Sequence, residues 1–390
     1  MFDEKSLERI SERLVQRTQE LNAFMIKKLA EQIKTIGSLT PSQAREILQS
    51  VQYGANLDEI ANELARITNL NVKDIYDIFE DVAISCQNYA KPFYEYRNIS
   101  FIPYEENKIL QDQVKAMAKI TAESYLNIAR STAYTFIDDN GVRQFTDLSE
   151  TYQKITDKAI LNISQGRESY EKVLRDTMKE LSSNGLQMVD YSTGYHKRMD
   201  SAVRMNVMEG VRALNQTLLN QFGEEFGADG VEVSHHKNSA PDHIDTVDGK
   251  QFTKEEYEKL NNELQRPVGT LNCYHYSFPI IIGVSEPMQK EKVVEDDKKA
   301  NIKGFEFEGT HYTNYEGTQL QRRLETQIRR YKDRQMASNA LGDEEDVYKC
   351  QEKINYLSNK YNQLCKESGL PKKIDRLRVE GYEKKKINAQ

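Results

Sequence analysis

Side chains able to do chemistry are concentrated in one short part of this 390-residue chain. Four of its six histidines and one of its four cysteines fall within about forty positions: His235, His236, His243, Cys273 and His275. Imidazole nitrogens and thiolates are ligands that zinc accepts, and a zinc ion would stabilise a small module. The sequence, however, contains neither two closely spaced pairs of ligands, each on its own turn, nor a His-x-x-x-His motif on a helix. His236, His243, Cys273 and His275 are therefore candidates for a metal site without an established signature.

The same side chains also fit a structural role. An irregular loop leaves backbone groups without ladder partners, and the rings of His236, His243 and His275 can hydrogen-bond to them. We favour this interpretation, so we expect no cofactor, with zinc as the alternative. Cys273 is expected to be a small buried side chain, because its adjacency to His275 in sequence does not supply the geometry of a nucleophile and its base.

A third interpretation is metal-dependent catalysis. Asp242, His243, Asp245 and Asp248 offer a general base and metal ligands of the kind a His-metal nuclease needs. Few basic residues flank them, and a carboxylate-rich loop repels phosphate unless a metal offsets its charge. The chain also lacks the motifs GxGxxG, GxxxxGK[ST], HExxH and GxSxG. We therefore expect no enzymatic activity.

Composition indicates which elements position these residues. Hydrophobic residues make up 38% of the chain, charged residues make up 29% and the mean hydropathy is -0.75. This composition favours long helices with large solvent-exposed faces. Eight prolines and 19 glycines are too few for an all-β protein full of tight turns. No apolar run approaches the roughly 18 to 20 residues of a membrane span. The first residues are acidic and no apolar segment follows them, unlike a secretory signal. The cysteines are scattered along the chain, which favours reduced thiols and hence folding in the cytosol.

Hydrophobic periodicity divides the chain into four parts. We predict a helical domain over 1–228, a small α+β module containing the His and Cys residues over 229–285, a charged linker over 286–310 and a basic helical hairpin over 311–390. The fold class is therefore mainly α, with long amphipathic helices and a small α+β module. In the module, Val231-Glu232-Val233 and the run from Phe278 to Ile282 are expected to form strands.

Within the first part, capping residues and prolines set the expected helix boundaries. Apolar spacing predicts one helix between Leu7 and Leu29. The expected later helix starts and breaks are Thr40, Asn56, Asn71, Pro92 and Pro103. Further helices are expected over about 105–130, 148–163, 167–184 and 192–226.

The C-terminal part carries a separate candidate surface. Residues 311–390 contain 17 Lys and Arg against 12 Asp and Glu, a net charge of +5, whereas the whole chain carries -7. Arg322, Arg323, Arg329 and Arg330 form two pairs seven residues apart, hence roughly on one side of a helix, where they could contact DNA or a portal protein. The alternative is a solvated face on which Glu325 pairs with Arg329.

Several motifs resemble the phage minor capsid protein 2 family, which is related to the Mu F-type minor head proteins of tailed phages. They are Ser234-His235-His236, Ala240-Pro241-Asp242-His243, Asp248-Gly249-Lys250, Asn272-Cys273-Tyr274-His275, Gly283-Val284-Ser285-Glu286-Pro287, Asp190-Tyr191-Ser192-Thr193-Gly194, Asp200 with Arg204-Met205, and the Gln-Arg-x-Leu-Glu run from Gln321. The resemblance covers about 120–340. Asn238-Ser239-Ala240-Pro241 departs from the family's usual Gly-Ala-Arg-Pro, which weakens the case for an active-site loop.

The resemblance implies a structural minor capsid protein of a tailed phage head. Such a protein is expected to associate with the portal vertex, the head interior or both during assembly in the host cytoplasm, and to remain in the virion. The implied partners are the portal protein, the major capsid or scaffolding proteins and packaged DNA, with no membrane. A DNA-binding internal head protein is the alternative function, followed by a metal-dependent enzyme built on the His and Cys cluster.

Overall fold

The computed structural model describes residues 10–37, 54–137, 143–147, 187–189, 196–270 and 273–385. Its helices are α1 (Glu12–Gly37), α2 (Gly54–Arg97), α3 (Lys108–Arg130), α4 (Met199–Glu225), α5 (Pro241–Ile244), α6 (Lys254–Glu263), α7 (Glu291–Lys303), α8 (Asn314–Leu341), α9 (Glu344–Ser368) and α10 (Ile374–Leu377). Its strands are β1 (Thr132–Ile137), β2 (Arg143–Asp147), β3 (Gln187–Val189), β4 (His196–Arg198), β5 (Gly230–Val233), β6 (Gln251–Thr253), β7 (Ser277–Ile280), β8 (Phe305–Phe307) and β9 (Thr310–Tyr312). The predicted fold class, mainly α with a small α+β module, is confirmed.

Helices α1 to α4 pack around the larger hydrophobic core. In α1, Leu14, Leu21 and Met25 are buried at spacings of seven and four, which is the helical periodicity that predicted this element. Helix α3 begins after Asn107, whose side-chain oxygen accepts a hydrogen bond from the Leu110 N–H, close to the predicted start. None of the helices in the described ranges is long and apolar enough to span a membrane.

Helix α2 runs through two predicted boundaries, both of which were wrong. Asn71 does not cap a new helix, because its buried side chain donates to the Tyr125 hydroxyl at 3.0 Å and accepts from Arg17 at 3.3 Å. Pro92 lies inside the helix, where it removes one backbone N–H donor. Buried Ala90 and Tyr94 on either side pack into the core and hold the helix through the proline.

The expectation of helix alone up to residue 228 was also wrong. Strands β1 to β4 form an antiparallel sheet in the order β2-β1-β3-β4, and β4 occupies the first turns of the helix predicted over 192–226. Helix α4 therefore begins at Met199. The cap predicted at Thr40 and the helices predicted over 148–163 and 167–184 lie outside the described residues.

The predicted α+β module is confirmed as a three-stranded antiparallel sheet in the order β6-β5-β7, joined by α5 and α6. Both predicted strands are present as β5 and β7. Tyr276 and Phe278 of the module are buried in the same cluster as the side chains of α1 to α4. The module and the helical part therefore share one continuous core.

The predicted charged linker over 286–310 was wrong, because α7 and β8 form there. Asn301 of α7 is buried, and its side chain donates to the Ser239 carbonyl at 2.9 Å and accepts from the Tyr315 N–H at 2.9 Å. A charge-rich segment can order when a few polar anchors hold one face and the other charges stay in solvent. This segment thereby connects the α+β module to α8.

The C-terminal helical hairpin is confirmed as α8 packed on α9. Buried Leu324 and Ile328 of α8 face buried Leu357 and Tyr361 of α9 in a second hydrophobic cluster. Gly342 ends α8 with φ of 80°, a left-handed conformation that glycine adopts without a Cβ clash. The hairpin residues that line the site described next therefore stand on a rigid support.

Candidate functional site

The edge between β5 and β7 brings the two histidine-containing segments together. Beyond the last register pair, the Ser234 N–H donates to the Tyr276 carbonyl at 2.8 Å, and the Tyr276 N–H donates to Ser234 Oγ at 2.9 Å. This extra pairing places the residues after β5 beside those before β7. His243 enters from α5, whose first residue, Pro241, is preorganised for a helix start.

Three potential ligand atoms converge at this point. His243 Nδ1 and His275 Nδ1 are 3.3 Å apart, and Cys273 Sγ lies 3.5 Å from the former and 3.3 Å from the latter. His243 and His275 are each 2% exposed, and Cys273 is 9% exposed. Among the described residues, this is the group of three or more His, Cys, Asp or Glu side chains with metal-site spacing.

Hydrogen bonds on the far side of each ring orient these nitrogens. His243 Nε2 lies 2.6 Å from the Arg266 carbonyl, which can only accept, so Nε2 carries the proton. His275 Nε2 lies 2.8 Å from Asp248 Oδ1 and 3.0 Å from Ser239 Oγ. With both Nε2 atoms held on the outer side, the two rings turn their Nδ1 atoms toward Cys273.

Asp248 organises the surrounding shell. This carboxylate is 1% exposed and accepts from the His236 N–H at 2.7 Å, while its other oxygen lies 2.9 Å from His235 Nδ1. Burial favours the neutral acid, but hydrogen bonds with His235 and His275 outweigh it and hold the pKa of Asp248 well below its usual range. Asp248 therefore stays ionised and fixes both histidine rings.

The thiol and imidazole groups strongly perturb one another. Burial raises the pKa of Cys273, but hydrogen bonds with His243 and His275 outweigh it and lower the pKa to about 5. Burial lowers the pKa of His275, whereas hydrogen bonds with Asp248 and Cys273 raise it to about 9. Cys273 was expected to be a small buried side chain; it is buried, but in a polar cluster that favours the thiolate.

The two remaining histidines of the module occupy different positions. His235 bridges two carboxylates, since its Nε2 lies 3.1 Å from Asp297 on α7. His236 Nδ1 accepts from the Asn238 N–H at 3.2 Å, and its ring packs 5.3 Å from that of Tyr274. Of the four candidate metal ligands, His243, Cys273 and His275 are thus brought together, and His236 lies beside them.

The carboxylates suggested for a nuclease do not share one site. Asp242 forms an ion pair with Arg266, with Oδ2 and Nε 2.9 Å apart. Asp245 is exposed and pairs with Lys298. Asp248 hydrogen-bonds to His275 and Asp242 Oδ2 lies 3.9 Å from His243 Nε2, whereas Asp245 pairs with Lys298, so the suggested catalytic set does not converge on one point.

A cavity of about 380 Å³ opens next to the three convergent atoms. Its lining includes His243, Cys273 and His275 and five basic side chains: Lys237, Arg266, Arg322, Lys373 and Arg376. These side chains come from the module, from α8 and from the segment after α9. A concave site with this excess of cationic groups is suited to an anion.

The four candidate arginines of α8 separate into two faces. Arg322 lines the cavity, and Arg329 is turned inward, with Nη1 2.7 Å from Asp200 Oδ2. Arg323 and Arg330 are exposed on the outer face. The alternative pairing of Glu325 with Arg329 is replaced, because Glu325 is buried against Tyr361 and lies 3.9 Å from Arg376.

Sequence reasoning missed three residues of this site. Arg266 supplies both a carbonyl acceptor and a cation, Asp297 holds His235, and Arg376 lines the cavity. Arg376 is 101 residues after His275, Asp297 lay in the presumed linker, and Arg266 lies nine residues before His275 outside any recognisable motif. No local motif marks any of them, so only the tertiary contacts could find them.

Comparisons with known proteins point to one family. The family model described as phage minor capsid protein 2 matches residues 2–366. A structural protein of Lactococcus phage LL-H is 23% identical over 378 residues, covering 87% of this chain and 98% of the relative. A structural protein of Lactococcus phage mv4 is 28% identical over 116 residues, covering 29% of this chain and 83% of the relative. No solved structure matches the chain significantly.

Proposed function

The chain belongs to the phage minor capsid protein 2 family. From this premise we propose that it is installed in the phage head during assembly in the host cytoplasm. Its expected location is the portal vertex, the inside of the shell or both. The supporting observation is that the family match spans residues 2–366 and that a relative named as a structural protein aligns over 98% of its own length. Near-complete alignment supports assigning this role to the whole chain rather than to one domain of it. The role itself requires no catalytic step.

The proposal is tested by counting this chain in purified particles. Quantitative mass spectrometry of DNA-free procapsids and mature virions, scaled to the portal protein, should give a constant ratio far below that of the major capsid protein. Absence from both particles overturns the proposal. A chain present in mature virions but missing from procapsids overturns installation during assembly while leaving a virion role.

Contact with the portal is a narrower part of the proposal. Cross-linking of intact procapsids followed by mass spectrometry should recover peptides of this chain joined to portal peptides. Links only to major capsid or scaffolding proteins would replace the portal vertex with the inner shell as the location. A phage in which this chain is truncated after α4 should lose normal heads or infectivity, and intact infectious heads would contradict an assembly role.

A second candidate function, contact with packaged DNA inside the head, rests on the charge of the C-terminal part. Residues 311–390 carry +5 while the chain as a whole carries -7, and Arg323 and Arg330 are exposed seven residues apart on α8. Residues seven apart lie on nearly the same side of a helix, about two turns from each other. Both guanidinium groups, about 10.5 Å apart along the helix axis, can therefore face the same DNA backbone.

The DNA contact is tested with paired variants of the full chain. Replacing Arg323 and Arg330 with alanine should weaken DNA binding and reduce the dependence of log K on log salt by about 1 to 2, because each phosphate contact releases about one counterion. Replacing exposed Lys91 and Lys119 with alanine removes the same charge from α2 and α3 and serves as the control. Equal effects of the two double variants would contradict a specific role for α8.

A further inference from the structure

We propose that His243, Cys273 and His275 bind a zinc ion whose fourth coordination position opens into the cationic cavity. This inference concerns the His and Cys cluster and the cavity beside it, and its failure would leave the proposed head role untouched. It reverses the sequence-based preference for a purely structural histidine cluster. The reversal comes from four observations: the distances, the ring orientations, the outer contacts and the cavity.

The spacing of the three atoms matches a tetrahedral zinc site. Zinc binds imidazole nitrogen at about 2.0 to 2.1 Å and thiolate sulfur at about 2.3 Å, so tetrahedral geometry sets about 3.3 Å between two nitrogens and about 3.5 Å between nitrogen and sulfur. The corresponding distances here are 3.3 Å between His243 Nδ1 and His275 Nδ1, and 3.5 and 3.3 Å from these atoms to Cys273 Sγ. The observed distances lie within about 0.2 Å of these tetrahedral values.

The orientation of the two rings argues for a cation between them. His243 Nε2 donates to the Arg266 carbonyl, and His275 Nε2 lies against Asp248. The two Nδ1 atoms therefore face each other at 3.3 Å and both turn toward Cys273 Sγ, which is the arrangement of ligand atoms around a shared ion. On binding, a zinc ion would displace the Nδ1 proton and accept the Nδ1 lone pairs of both rings and the Cys273 thiolate together.

The outer contacts are those that metal-bound histidines usually have. A ligating histidine generally donates its other ring N–H to a carboxylate or backbone carbonyl, which fixes the ring and raises its basicity. His275 has the carboxylate of Asp248, and His243 has the carbonyl of Arg266. Asp248 is in turn anchored by the His236 N–H and by His235, so this support is itself rigid.

The donor set selects the metal. Two imidazole nitrogens and one thiolate suit zinc, while magnesium and calcium prefer oxygen ligands in larger coordination shells. Three protein donors leave a fourth position for water or an anion, as in zinc sites that are not fully closed by protein. All three donors line the cavity that also contains Lys237, Arg266 and Arg322. An anion such as phosphate can therefore reach the metal.

Metal content of the purified full-length protein gives the first test. Elemental analysis after expression without chelator, or after refolding with ZnCl₂ and desalting, should find about one zinc per chain. Replacement of Cys273 by serine, or of His243 by alanine, should reduce zinc at least tenfold in protein that keeps the helical circular dichroism of the wild type. The matched controls Cys365→Ser and His311→Ala change a buried thiol and an exposed imidazole outside the cluster and should retain zinc.

Cobalt(II) substitution provides a readout that does not depend on stability. The wild type should show the intense visible bands of tetrahedral cobalt and a thiolate-to-cobalt charge-transfer band. Cys273→Ser should lose the charge-transfer band, and Cys365→Ser should keep it. Addition of inorganic phosphate should shift the visible bands if the fourth position is exchangeable.

The possible outcomes separate the parts of the proposal. Folded wild-type protein that binds neither zinc nor cobalt overturns the metal site. Metal retained at the wild-type level in both Cys273→Ser and His243→Ala overturns the assignment of the ligands. A cobalt spectrum that phosphate and other small anions leave unchanged overturns the open fourth position, while loss of the thiolate band in Cys273→Ser would still support the three ligands.

Discussion

Replacement of Arg329 by alanine should destabilise the protein strongly, because this guanidinium belongs to a buried network of four charges. Its Nη1 lies 2.7 Å from Asp200 Oδ2, and Arg198 contacts both Asp200 at 3.3 Å and Asp333 at 2.8 Å. Asp200 and Asp333 are 4% and 0% exposed. The network joins β4, α4 and α8, so it connects the C-terminal hairpin to the helical core.

The expected magnitude follows from the charge left behind. Two arginines balance two aspartates, so removing Arg329 leaves one buried carboxylate charge uncompensated. Breaking a buried ion pair by deleting one partner costs about 3 to 5 kcal/mol. Because Arg198 still contacts Asp200, the free energy of unfolding should fall by roughly 3 kcal/mol, at the lower end of that range. Exposed Arg330 is the matched control, and its replacement by alanine should change stability by no more than about 0.5 kcal/mol.

Urea unfolding followed by circular dichroism measures these differences. A double-mutant cycle adds Asp200→Asn to Arg329→Ala, and the double variant should recover about 1 to 3 kcal/mol relative to the sum of the single losses. Recovery is expected because the second substitution removes the charge that the first left unpaired. If Arg329→Ala is no more damaging than Arg330→Ala, the buried network does not support the fold, and Arg329 returns to the set of surface contacts.

Three further outcomes are expected. Because the pKa of Asp200 is lowered in the folded state, its ionised form stabilises the fold above about pH 4, and this stabilisation is lost as the pH falls below that value. Asp200→Asn should therefore reduce the dependence of the free energy of unfolding on pH at acidic pH. Gly317→Ala should cost about 1 to 3 kcal/mol in urea unfolding, because a Cβ there would lie 2.6 Å from the Phe305 ring, and Phe305→Leu should restore part of the loss. His243→Ala measured in EDTA should lower stability by about 1 to 3 kcal/mol through loss of the hydrogen bond to the Arg266 carbonyl, and unchanged melts would contradict that contact.

Fold class was readable from the chain because local periodicity reports which face of an element is buried. The hairpin face Val347, Cys350, Ile354, Leu357, Tyr361 and Leu364 repeats at three and four residues, and all of these side chains are buried. Strands β5 and β7 were predicted from short β-prone runs, although burial does not alternate in them: Glu232 of β5 is buried, and every residue of β7 is buried. Where tertiary partners override local signals, the prediction was wrong: Asn71 bonds to Tyr125 rather than capping a helix, and α7 orders through Asn301.

The candidate site shows the same division. Residue types and the forty-residue window identified the module and the individual histidines and cysteine. Which of them converge could not be derived, because His243 and Cys273 are thirty residues apart and meet only when β7 pairs with β5. Spacing along the chain therefore lacks a zinc signature, although the three side chains converge in space at the distances on which the proposed zinc site rests.

Sequence alone determined the helical class, the position of the small α+β module and the resemblance to a phage head protein family, because these depend on side-chain periodicity and local motifs. Tertiary structure decided the function of individual charges and donors. Arg329 and Arg323 are identical residues six positions apart, yet one is paired with Asp200 in the interior and the other is exposed. That difference arises because burial of a charged side chain depends on an oppositely charged partner, and here the partner is supplied from a distant helix.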